Sequence, residues 1–171
     1  MLWLFIAGFN TSIGISGLEE KSFFLLNKNW GNGRGAAFSI AFDSFKQMPL
    51  LHKFIGVGAD CFSVFVYSLP VLAVKFREAF GYSMLTNAHN ELLTCLVNEG
   101  ILGVCLFLGI VIFFVKKCMK NGKENYIFLG LAACVICYLC HNMVSFEQVL
   151  NLPFLFLLMG MGGAASQGQS D

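Results

Sequence analysis

The sequence predicts an all-α, polytopic helical membrane protein with a long extracytoplasmic loop that contains short amphipathic helices. Composition is the first reason: 57% of the 171 residues are hydrophobic and only 12% are charged, whereas soluble domains carry roughly 25% charged residues. The mean hydropathy of +0.71 agrees. Uncharged runs are the second reason, the clearest being Ile101–Val115 (ILGVCLFLGIVIFFV). A formal net charge of +1 gives no electrostatic argument for nucleic acid. Membrane lipids are the expected surroundings.

Residues 1–15 (MLWLFIAGFNTSIGI), 100–116, 127–144 and 149–165 are predicted to be transmembrane helices. At about 1.5 Å per residue, Ile101–Val115 alone falls short of the roughly 30 Å hydrocarbon core. That helix is therefore expected to start near Asn98 or Glu99. The first segment lacks the basic n-region of a secretory signal, and is read as a span, truncated if earlier helices precede it. The intervening segments are a loop over 16–99, a connector over 117–126, a turn over 145–148 and a tail over 166–171.

Orientation follows from lysine placement. The connector KKCMKNGKEN holds Lys116, Lys117, Lys120 and Lys123 against Glu124, and short lysine-rich connectors stay cytoplasmic. The loop 16–99 and the turn SFEQ are then external. The loop carries seven Lys/Arg and seven Asp/Glu, so its own charge does not bear on the assignment.

Cys134, Cys137 and Cys140 form a CxxCxxC run, a spacing that also occurs in metal sites. No fourth ligand accompanies it. On a membrane helix the same spacing puts three small side chains on one stripe, so packing between helices is the favoured reading, and no metal site is expected.

Within the loop, Phe38, Ala41, Phe42, Phe45 and Met48 recur at three- and four-residue steps, opposite Ser39, Asp43, Lys46 and Gln47. This predicts an amphipathic helix ended by Pro49, its apolar face on the spans or in the bilayer interface. GNGRG precedes it. Gly31, Gly33 and Ala36 match the dinucleotide fingerprint formally, but no strand runs into them and the match is rejected. A flexible turn with a solvated Arg34 is one account. An anion seat formed by a helix start and the Arg34 fork is the other. In PLLHKFIGVGADCF, Gly56 and Gly58 indicate a tight turn, and His52 is placed in a polar loop. Residues 61–74 are apolar but short and interrupted by Pro70, which predicts an interfacial or re-entrant segment. Arg77 beyond it is a second candidate for anion contact, against an anchoring role at the headgroups.

NAHNELLTCLVNEG contains the most distinctive histidine. Asn87 suits an N-cap, Glu91 the positive end of a helix, and Gly100 its end. His89 is then expected in the first turn of a short outer helix just above the membrane. Capping explains Asn87 and Glu91 but has no need of a histidine. His141, near the end of a span, is expected to be a buried, hydrogen-bonded imidazole.

GRGAAF, PLLHKFIGVGADCF and NAHNELLTCLVNEGILGVCLFL occur in this order. Together they resemble the O-antigen ligase and O-antigen polymerase superfamily of bacterial membrane proteins over roughly residues 31–115. The third stretch matches most specifically. The second has His52-Lys53-Phe54 inserted ahead of its Gly-x-Gly, and the first has Phe38 where tryptophan is common. Whole members have many more helices, so the resemblance implies the C-terminal portion of such a protein. It also implies a polyprenyl-diphosphate-linked glycan donor, a glycan or glycolipid acceptor, no cofactor and no metal, at the outer face of the cytoplasmic (inner) membrane. The loop histidine of the family corresponds to His89, as catalytic base, and the loop arginine to Arg34, as substrate-binding group. Repeat-unit polymerisation is the alternative within the superfamily. A non-catalytic membrane remnant, or a transporter fragment gated by 61–74, are alternatives outside it.

Overall fold

The computed structural model describes residues 30–81, 85–123, 125–143, 145 and 151–166. The first predicted span, 1–15, and the turn around 146–148 lie outside the described residues. The described chain is all-α. Its helices are α1 (Trp30–Gln47), α2 (Leu50–Ile55), α3 (Phe62–Ser68), α4 (Pro70–Phe80), α5 (Glu91–Asn98), α6 (Gly100–Asn121), α7 (Tyr126–Asn142) and α8 (Asn151–Ala165).

Two hydrophobic cores organise them. In the stem, Val111, Phe114 and Cys118 of α6 meet Phe128, Ala132 and Val135 of α7, with Leu155 and Met159 of α8. Among the described helices α6 alone is long and apolar enough to cross a membrane, with little of it buried within the protein. Its 22 residues span about 33 Å. The helices α7 and α8 are apolar but shorter. The start of α6 at Gly100, with Glu99 as N-cap, agrees with the sequence expectation. Its far end carries the lysines, where Lys117 Nζ donates to Gly163 O of α8 at 3.3 Å.

The head, α1 to α5, surrounds Phe62, Val66, Leu72, Phe76 and Val97, all but inaccessible to solvent. The apolar run 61–74 is therefore in part the lining of a protein core, although Val64, Val71 and Val74 stay exposed. It breaks at Leu69-Pro70 into α3 and α4, whose inward faces supply the core of the head. Pro70 opens α4 because its fixed φ and missing N–H suit the first turn of a helix.

Helix α1 is found where the alternation predicted one, but its buried face is rotated. Ala37, Ile40, Ala41, Ser44 and Met48 are buried, while Phe42 is 50% exposed. Small side chains let α1 lie close to its neighbours, and Ser44 satisfies its hydroxyl by donating to Ala41 O at 2.7 Å. Phe42 instead carries Lys46 Nζ 4.4 Å from its ring centroid. Much of the apolar surface left open on the head belongs to α2. Leu50, Leu51, Phe54 and Ile55 are all exposed, and the helix, which has no buried residue, packs beside the start of α6. His52 is on this helix, not in a polar loop, with Nδ1 2.8 Å from Gly56 O.

Cys134, Cys137 and Cys140 are exposed. The packing face of α7 is Phe128, Ala132 and Val135, so the cysteine stripe looks away from the helix contacts of the described stem, contrary to the packing expectation. His141 is likewise exposed, and the buried polar group at that end is Asn142.

The turn between α2 and α3 is tied to the end of α5, where α6 begins, by backbone contacts. Val57 N–H donates to Val97 O at 3.1 Å, and Gly58 N–H to Asn98 O at 2.9 Å. Gly56 and Gly100, at φ 76 and φ 73, allow this approach, since a Cβ on Gly56 would collide with the Asn98 carbonyl and one on Gly100 with the Phe54 carbonyl. Replacing either by alanine is expected to cost about 3 kcal/mol or more, from strain at positive φ plus the collision. Gly109→Ala, at a position with open space around it, is expected to change stability by under about 1 kcal/mol. Thermal unfolding of the three variants in lipid nanodiscs measures the contrast.

Candidate functional site

The three stretches singled out in the sequence converge on one side of the head. Gly33, at φ 92, lies against the Phe80 ring, where a Cβ would approach Cε1 to 2.9 Å. Phe80 stacks on Phe76 at 5.0 Å, and Phe76 meets Tyr67 edge-on at 5.2 Å. This aromatic column sets the backbone of α1 immediately before Arg34. GNGRG is thus not a turn ahead of the helix. It lies inside α1, which begins at Trp30, so the anion seat made from a helix start after GNGRG is absent. What remains of it is the half-buried Arg34 side chain.

His89 is not in the first turn of α5. That helix starts at Glu91, and its N-cap is Asn90, whose Oδ1 accepts from Leu93 N–H at 3.0 Å. Asn87, expected as the cap, instead accepts from His89 N–H at 3.0 Å, closing a local side-chain turn. His89 itself sits at φ 52, in the left-handed region that non-glycine residues adopt seldom and at a cost. Asn90 fixes this strained loop from below: its Nδ2 donates to Met143 O, at the end of α7, at 2.7 Å. Thr94 Oγ1 donates to Asn90 O at 2.9 Å and accepts from Ala88 N–H at 3.1 Å.

The structure brings Arg34 and His89 together. Partial burial of the imidazole, and then the Arg34 charge, hold the His89 pKa below its ordinary 6.5. Both causes disfavour the imidazolium, so near neutral pH the ring is uncharged and able to accept a proton. Arg77, by contrast, is exposed on α4 and is not among the charges acting on His89.

Beside His89 a cleft of about 240 Å³ opens between α5 and the α3 approach. Glu91, Thr94, Cys95 and Asn98 line it from α5, at the i, i+3, i+4, i+7 spacing of a single helix face. Asp60, at φ 57, and Glu99 add carboxylates, and Thr86 and Asn87 form the wall next to His89. Cys95 Sγ donates to Glu99 Oε2 at 2.9 Å. Among the described residues no group of His, Cys, Asp or Glu is arranged to hold a metal ion. Sequence reasoning missed the roles of Asn90, Asp60 and this polar stripe, although the stripe is visible in ELLTCLVN once α5 is given its register.

No family model, curated protein or solved structure matches the chain.

Three outcomes follow from this geometry. The unfolded chain binds a proton at His89 more readily than the folded one between the lowered pKa and 6.5. Its stabilising contribution is therefore complete above pH 6.5 and is lost as pH falls through the folded value. Arg34→Gln is expected to raise the imidazole pKa toward 6.5, as followed by NMR titration of labelled histidine. Glycine relieves the left-handed strain, so His89→Gly is expected to raise stability by about 1 kcal/mol in thermal unfolding. A histidine needed for the fold would instead give a loss.

Proposed function

We propose that this chain is part of a polytopic membrane glycosyltransferase that moves a glycan from a polyprenyl-diphosphate donor to an acceptor hydroxyl during cell-surface polysaccharide assembly. The resemblance to the O-antigen ligase and polymerase superfamily supplies the reaction class. The observation that carries it to particular residues is the pairing of Arg34 with a His89 kept neutral and held in strained backbone. Strain of that kind persists where the surroundings over-determine it, and it clusters at functional sites.

The chemistry uses the two groups in complementary ways. The acceptor O–H gives its proton to an imidazole nitrogen of His89 as its oxygen attacks the anomeric carbon. The bond from that carbon to the diphosphate oxygen breaks, and its electron pair leaves with the polyprenyl diphosphate. Arg34 offers a fixed cationic fork to the charge that gathers on the leaving group. Arg77 is kept as a diphosphate contact of the lipid headgroup zone, apart from the reacting atoms. No metal or cofactor enters the proposal.

The proposed setting is the outer face of the bacterial cytoplasmic membrane. The lysine-rich connector sits at the far end of α6, and the head at the near end. The exposed apolar side chains of α2 lie beside Ile101 and Leu102 of α6, also exposed, so they would rest in the bilayer at the depth of a lipid diphosphate. Ligation and repeat-unit polymerisation share this chemistry and differ in the acceptor.

In cells carrying the full gene, His89→Ala is expected to lower glycan transfer by about 10²–10⁴-fold, with the lipid-linked donor accumulating at matched membrane expression. Normal surface glycan in that strain would return His89 to a structural part.

A further inference from the structure

The cleft beside His89 has a chemistry that the proposed reaction has not yet used. Asp60, Glu91 and Glu99 line it, and among the described residues no Lys, Arg or His does. Carboxylates only accept hydrogen bonds when ionised. Such a wall repels phosphate and diphosphate and suits a ligand rich in hydroxyl donors. Asn98 supplies an independent sign of a ligand. It lines the cleft with 8% of its surface exposed, and its buried Oδ1 has no hydrogen-bond partner among the described residues. Its backbone carbonyl is already engaged by Gly58 N–H. A buried acceptor left unmet costs free energy, and a donor arriving with a ligand removes that cost.

Size narrows the class. A volume of about 240 Å³ lies below the roughly 300–1,000 Å³ of pockets that take drug-sized molecules. It suits one pyranose ring better than an oligosaccharide. Position gives the orientation. Asn87 belongs to the cleft wall and holds the His89 backbone, while the Arg34 charge acts on His89.

We infer that the cleft walled by Asp60, Glu91, Asn98 and Glu99 is a subsite for one uncharged sugar ring of the acceptor. It hands a hydroxyl to His89 and excludes acidic sugars. The assignment of the ring to the acceptor rests on the transferase proposal. The binding itself does not, because it is read without turnover. Donor and acceptor are thereby separated by charge: the diphosphate is drawn to Arg34, and the polyol is taken by the carboxylates.

The test is saturation-transfer NMR on the full chain in nanodiscs, with methyl glucoside and methyl glucuronide as probes. The glucoside is expected to bind and the glucuronide not to. Asp60→Asn and Glu99→Gln, both at exposed positions, are expected to admit the glucuronide. Asn98→Ala is expected to weaken the glucoside about three- to tenfold, the loss of one hydrogen bond. Equal binding of both probes, binding unmoved by the two charge-removing variants, or no glucoside binding would each overturn the subsite. Glucoside binding together with full transfer by His89→Ala would leave the subsite standing and remove the catalytic reading. Loss of transfer in His89→Ala without glucoside binding would do the reverse.

Discussion

The arrangement depends on the contact between the Gly56–Gly58 turn and the junction of α5 with α6. Two backbone hydrogen bonds, to Val97 O and Asn98 O, tie the turn to the last residues of α5, and no side chain stands between the two backbones. Gly100 meets the same turn from the other side. The joint sets where α6 begins and hence how α5 stands relative to that helix. It also presents Asp60, three residues beyond Val57, to the cleft. Glycine is required at both faces because the neighbouring carbonyls occupy the volume of a side chain. Two of the stretches singled out in the sequence, PLLHKFIGVGADCF and NAHNELLTCLVNEGILGVCLFL, are thus the two halves of one contact.

A second constraint acts through Asn90. One amide caps α5 with its oxygen and reaches the end of α7 with its nitrogen, coupling the strained loop to the stem. Head and stem have separate apolar cores. Polar links of this kind, with the glycine joint, transmit the position of the stem to His89. Arg34 arrives by another route, through the aromatic column of Tyr67, Phe76 and Phe80 that seats Gly33. The site is assembled from α1, the segment before α5, and α5 itself, each held by a different device.

Much of this was legible in the sequence. The long run after Gly100 fixed the position of α6, and the alternation over 38–48 predicted α1. His89 and Arg34 stood out by residue type and context. What was not legible depends on contacts distant in sequence. Asn87 and Asn90 can both cap a helix, and the choice falls to Asn90, which bonds Met143 fifty-three residues away. Phe42 looks like core by hydropathy, yet it is exposed and α1 turns its alanines and Ser44 inward, because close helix approach rewards small side chains. The apolar run 61–74 is too short for period alone to separate an interfacial segment from two core helices. Cys134, Cys137 and Cys140 share a face of α7, but nothing local says that this face looks outward. The left-handed backbone at His89 has no sequence signature beyond the neighbouring asparagine.

The most direct measurement is the pH dependence of kcat/KM for glycan transfer by the full-length protein in proteoliposomes, set beside the titration of His89 in the same preparation. A neutral His89 acting as base predicts an acidic limb below pH 6.5 whose midpoint coincides with the imidazole titration. A rate that stays level through that titration, or a limb with a midpoint elsewhere, would contradict the account.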